Sequence, residues 1–125
     1  ATLIVAETFA RRLSSFHVSP DGDLSDHRTW ADLGAATPDG ICLDADGALW
    51  VASPSTRQLL RVREGGGVLD QVETLGAPYA CMLGGPDRHI LYACTAETND
   101  PAQALRNPNG RIEVVTVPVP GVGLP

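Results

Sequence analysis

The chain repeats itself, and the period of the repeat is its strongest constraint. Leu49-Trp50-Val51-Ala52-Ser53 is matched 42 residues later by Leu91-Tyr92-Ala93-Cys94-Thr95. The segment before each also matches: Pro38-Asp39-Gly40-Ile41-Cys42-Leu43 and Pro78-Tyr79-Ala80-Cys81-Met82-Leu83 lie 40 residues apart. The difference is absorbed in the loops between the matched runs, 44–47 in one unit and 84–88 in the other. A third copy lies upstream, where Leu3 to Thr8 matches Leu49 onward and Arg11 to Phe16 matches Arg57 to Val62, both 46 residues apart. Self-similarity at about 40–46 residues is the mark of stacked supersecondary units rather than of one irregular domain.

Within a unit the apolar runs are short and separated by turn residues, which predicts strands. The middle unit shows four, at 40–44, 48–52, 58–63 and 68–74. Asp46-Gly47 is a hairpin signal, and Gly65-Gly66-Gly67 marks a second turn, because glycine tolerates the positive φ that such turns need. No segment carries a long helical period; Pro101 to Arg106 predicts at most one or two helical turns in a loop. Four short strands per unit make a propeller blade. The expected fold is therefore all-β, a β-propeller portion of about two and a half to three four-stranded blades. The units span 1–36, 37–76 and 77–125. The first lacks a counterpart of the Pro38-Asp39-Gly40 segment. The last ends near Val117, where Pro118, Pro120 and Pro125 disfavour another strand.

Composition narrows the function classes. Thirteen Gly and ten Pro among 125 residues, with 43% apolar and only 19% charged side chains, fit a turn-rich all-β chain with a real core. A net charge of −6, with the basic residues scattered, excludes a phosphate backbone as a natural partner. No run approaches the ~20 apolar residues of a membrane helix. The apolar start at Ala1 to Ala6 has no basic flank and reads as a strand, not a leader. Cys42, Cys81 and Cys94 have no zinc-like spacing and sit in apolar runs, which predicts buried free thiols in a reducing, cytoplasmic setting.

Pro38 to Ala52, with its Pro-Asp-Gly, acidic-Gly turn and Leu-Trp-Val-Ala, resembles the senescence-marker-protein, regucalcin and gluconolactonase family. Leu3 to Phe9 with Arg11-Arg12-Leu13 is similar to the preceding blade. Gly110 to Glu113 and Val119 to Pro125 are similar to the tail of bacterial members. The resemblance covers essentially the whole chain in order. It implies a six-bladed propeller holding one divalent cation, usually calcium, with zinc or magnesium as alternatives, and hydrolysing sugar lactones or related esters. Six such blades need roughly 250–280 residues, so the chain corresponds to the C-terminal part of the family pattern.

One functional position of the family maps here. The resemblance implies that Asp39 ligates the metal and is a candidate general base. A hard cation takes carboxylate oxygens, and a carboxylate beside it can accept a proton from attacking water. The alternative is an Asx-type turn before a strand, since Pro-Asp-Gly is a common turn tripeptide and at Pro20-Asp21-Gly22 reads as an ordinary hairpin loop. The family's Glu and Asn ligands lie on blades upstream of Leu3, so the isolated chain is expected to bind metal weakly and to hydrolyse little. Tyr79 occupies the place of Asp39 in the next unit and is a candidate for the channel mouth, or an aromatic packed between blades.

Other features read as structural. Asp44-Ala45-Asp46-Gly47 lacks the remaining ligands of a calcium loop and predicts a hairpin turn. His17, His27 and His89 read as solvated. Asp26-His27 has no nucleophile elbow near it. Trp50 is expected to fill the gap between blades. The expected partners are a lactone substrate and the missing blades, supplied by another chain or by a second copy in a homodimer. A non-catalytic half-propeller that self-associates or serves as a binding module is the alternative reading.

Overall fold

The structure, a computed structural model, describes residues 1–123. Leu124 and Pro125, which close the tail compared with the family above, lie outside the described residues. The described residues form ten strands in three antiparallel sheets. β1 (Thr2–Glu7), β2 (Arg12–Val18) and β3 (Leu24–Asp32) make the first sheet. β4 (Ile41–Leu43), β5 (Leu49–Ser53), β6 (Gln58–Val62) and β7 (Val68–Glu73) make the second, in sequence order. β8 (Ala77–Gly84), β9 (Ile90–Ala96) and β10 (Arg111–Thr116) make the third, and a short helix α1 (Pro101–Arg106) interrupts the β9–β10 connection. The sheets are the blades of a β-propeller portion. Among the described residues no helix is long and apolar enough to cross a membrane.

The repeat extends to backbone detail. Arg11 and Arg57, matched in sequence, both take positive φ, 54° and 53°. Each closes the same turn, its amide donating to Thr8 O in one unit and Pro54 O in the other. β1, β2 and β3 therefore correspond to β5, β6 and β7, and β8 corresponds to β4.

Alternation of side chains along each strand explains the packing. In β5 every residue is buried, because the second sheet is covered on both faces. Leu49 and Val51 point to the first sheet, joining Leu13, Trp30, Ala31, Leu60 and Val62 in one core. Trp50 and Ala52 point to the third, joining Cys42, Leu59, Cys81, Leu83 and Leu91 in another. Trp50 is fully buried and fills the gap between blades as expected, removing ~150–250 Å² of aromatic surface from water. Neighbouring blades touch backbone to backbone near their inner strands. A Cβ on Gly40 would lie 2.6 Å from the Cα of Ala80, so the third residue of Pro-Asp-Gly has no room for a side chain.

The outer sheets are covered on one face only. Along β9, Leu91, Ala93 and Thr95 are buried, while Tyr92 and Cys94 are exposed. Cys94 thus corrects the expectation of three buried thiols: its apolar run is half-covered, and alternation turns it outward beside Ile112 of β10. The tail also differs from a simple stop. Pro120 O accepts from Ala45 N at 2.8 Å and Gly121 bridges Asp44, so the segment after Val117 crosses back to the second sheet.

Candidate functional site

Asp39 and Tyr79 lie together at one end of the blades. Asp39 directly precedes Gly40 and β4, and its amide donates to Ala52 O at 2.9 Å, anchoring it to the end of β5. The Gly40 amide donates to Tyr79 O at 3.0 Å, while Gly40 O accepts from Ala52 N at 2.9 Å. These bonds fix the Asp39 backbone against both its own blade and the next. The two side chains share an open depression of about 360 Å³ with Phe9, Thr37, Ser55 and Asn99.

The polar groups of the depression divide into used and unused. The Thr37 hydroxyl accepts from Ser55 N, and the Ser55 hydroxyl donates to Ala35 O, so both brace loops. Among the described residues, the exposed Asp39 carboxylate enters no hydrogen bond or ion pair, unlike the side chain of an Asx turn. An unpaired carboxylate at a rim fits one ligand of a hard cation. It does not make a complete set: no group of three His, Cys, Asp or Glu side chains with metal-holding geometry occurs among the described residues.

Phe9 and Asn99 were not singled out from sequence. Phe9 follows the β1 run as Ser55 follows β5, and Asn99 follows the β9 run. Residues trailing the second strand of each repeat all reach this rim, so the repeat alignment itself carried the signal. Phe9 is 98% exposed, a large apolar ring with nothing packed on it.

The features read as structural lie elsewhere. Asp44 is fully buried, and its carboxylate accepts from the amides of Asp46 and Ala48 and from Arg61 Nε at 2.6 Å. Its oxygens are committed to the turn, which is a hairpin turn and not a calcium loop. Asp44 and Asp46 together hold the Arg61 guanidinium, pushing its pKa further up. His27 stacks on Phe16 with ring centroids 4.6 Å apart, and His17 faces Ser25. His89 departs from the solvated reading: its Nδ1 is 2.8 Å from Val117 O, tying the tail to the third sheet.

Comparison with known proteins places this geometry in context. Residues 1–97 match the family described as the SMP-30/Gluconolactonase/LRE-like region. Regucalcin of Danio rerio is 35% identical over 88 residues, 67% of this chain and 30% of that protein. A solved luciferin-regenerating enzyme superposes with a TM-score of 0.82 at 21% identity, over 98% of this chain and 43% of that one. A calcium-binding regucalcin from Agrobacterium tumefaciens gives 0.78 at 22% identity, over 99% of this chain and 44% of that one. These two likenesses establish the fold. The chain spans less than half the length of each of these relatives.

Proposed function

Since this chain belongs to the SMP-30/gluconolactonase/LRE-like family, we propose that it is the C-terminal part of a divalent-cation-dependent hydrolase of sugar lactones. The observation that carries the reading is the unpaired Asp39 carboxylate beside Tyr79 at the rim of the blades. Asp39 supplies one oxygen ligand to the cation and can accept a proton from the water that opens the ester. Calcium is the preferred cation, since the similar Agrobacterium tumefaciens protein is described as calcium-binding; zinc and magnesium are the alternatives. The chemistry a bound cation supplies is polarisation of the lactone carbonyl. Tyr79 lines the substrate side, where its ring offers an apolar wall and its hydroxyl a hydrogen-bonding group.

One carboxylate cannot fill a calcium shell of six to eight oxygens. The remaining ligands belong on further blades, so the isolated chain is inactive under this reading. Two outward sheet faces support that need. On the third sheet, Met82, Tyr92, Ile112 and Val114 are 46%, 37%, 62% and 61% exposed, aligned in adjacent cross-strand rows. On the first, Leu3 is 40% exposed and pairs with Phe16. Apolar faces of this kind are covered in a closed propeller.

The second reading keeps the same faces and drops the chemistry: two copies close on each other as a non-catalytic homodimer. Lactone opening, followed with calcium and with EDTA on the chain alone and on the chain completed by the remaining blades, separates the two. Calcium-dependent turnover only in the completed form supports the hydrolase. A completed propeller that binds calcium but opens no lactone leaves the binding module.

A further inference from the structure

The core between the second and third sheets contains two thiols that the proposed chemistry does not use. Cys42 lies on β4 and Cys81 on β8, the facing strands of adjacent blades, and each is 7% exposed. Alternation points both into the same interface, Cys42 opposite Trp50 and Cys81 opposite Ala93. Their sulfurs are 3.9 Å apart. The strands cannot drift far from this arrangement, because the Gly40 amide donates to Tyr79 O and Gly40 abuts Ala80. Two thiols held in contact across facing strands need their sulfurs to close from 3.9 Å to about 2.05 Å to form a disulfide.

We propose that Cys42 and Cys81 are a peroxide-oxidisable dithiol, a modification site whose disulfide cross-links the two blades. The Cys42 sulfur attacks one peroxide oxygen, the O–O bond breaks, and hydroxide leaves to take up the Cys42 proton as water, giving a sulfenic acid. The Cys81 sulfur then attacks the Cys42 sulfur, and the sulfenic oxygen leaves as a second water with the Cys81 proton. Two thiols lose two electrons in total, and one peroxide becomes two waters. A small thiol reductant reverses the bond by exchange. The order of roles follows the hydrogen bonding. Contact with Cys81, whose thiol also reaches the Gly40 and Trp50 carbonyls at 3.5 Å, holds the Cys42 pKa down, while contact with Cys42 and burial push Cys81 up. Cys94 is excluded as a partner by its place on the outward face of β9. Asp39 lies three residues before Cys42 and Tyr79 two before Cys81, so the cross-link braces the rim of the depression. The proposal stands independently of what that depression binds.

The test is to expose the reduced, folded chain to hydrogen peroxide, block remaining thiols with N-ethylmaleimide under denaturing conditions, and map the peptides by mass spectrometry. The expected product has lost two hydrogens, carries one blocked thiol at Cys94, and yields a linked Cys42–Cys81 peptide pair that dithiothreitol separates. Cys94→Ser should keep the linked Cys42–Cys81 pair with no blocked thiol, and Cys42→Ala or Cys81→Ala should abolish the link. The oxidised chain should also melt several degrees higher, since the bond closes a long loop. Three blocked thiols after peroxide, or a disulfide formed through Cys94 instead, would overturn the proposal.

Discussion

Gly40 donates its amide hydrogen to the carbonyl of Tyr79 at 3.0 Å, and through this bond Asp39 and Tyr79 are brought to one rim. The contact exists because Gly40 has no side chain: a Cβ there would meet the Cα of Ala80 at 2.6 Å. Gly40→Ala must push two inner strands apart, against backbone and not a flexible side chain. Overpacking of this kind costs about 1–3 kcal/mol, to be read as a lower urea midpoint with unchanged slope.

Trp50 reports on the same interface by a different route. Its indole Nε1 is buried with no hydrogen-bond partner among the described residues. Trp50→Ala should cost about 3–5 kcal/mol through the cavity it leaves. Trp50→Phe should lose much less, since no hydrogen bond disappears with the nitrogen. Equal losses for the two variants in urea unfolding would mean that the N–H, not the ring, is what matters.

The Asp44–Arg61 pair tests the structural reading of the acidic turn. Asp44 is fully buried, and the Arg61 side chain is 12% exposed. Arg61→Met leaves a buried carboxylate with only two backbone donors, and removing one partner of such a pair costs about 3–5 kcal/mol. Calcium should not rescue the variant, because Oδ1 stays bound to the turn amides and the freed Oδ2 is a single ligand where calcium takes six to eight oxygens. A calcium-dependent rise in its melting temperature would restore the calcium-loop interpretation.

Glu113 sets the acid side of the stability profile. Burial opposes its ionisation, but the Thr95 hydroxyl and the amides of Leu75 and Gly76 donate to its carboxylate and bring its pKa below the ordinary 4.5. A group with a lowered folded pKa contributes its full stability above the unfolded value and loses it as pH falls through the folded value. Stability should therefore be flat above about pH 5 with respect to this group and decline below 4.5. Glu113→Gln should start lower and show a shallower acid decline, measured by thermal melts across that range.

Much of the fold was legible because β5 is buried on both faces. Its run Leu-Trp-Val-Ala recurs in weakened form at Leu91, where only one face is covered, and at Leu3. The turns were legible through Gly47 and Gly66, whose positive φ values of 78° and 92° suit glycine. What stayed hidden depends on neighbours distant in sequence. Cys94 sits in as apolar a run as Cys42, and only the stacking order of the sheets decides which sulfur is covered. The return of the tail to Asp44 rests on the Ala45–Pro120 backbone bond and on Arg88 donating to the Gly121 and Val122 carbonyls, contacts between positions more than 30 residues apart. At the site, Asp39 and Tyr79 were legible as equivalent positions of two repeats; Phe9 and Asn99 trail the matching strands β1 and β9, a signal the same repeat alignment carries.

The most direct test of the central claim is calorimetric titration of calcium into the chain completed with its remaining blades, as wild type and as Asp39→Asn. The substitution keeps size and shape but removes the charge that a hard cation selects. The account predicts at least a tenfold loss of calcium affinity, about 1.4 kcal/mol, with lactone opening lost in parallel and the melting temperature without calcium unchanged. Equal calcium affinity in the two proteins would contradict it, and Asp39 would then be a turn residue that happens to face the rim.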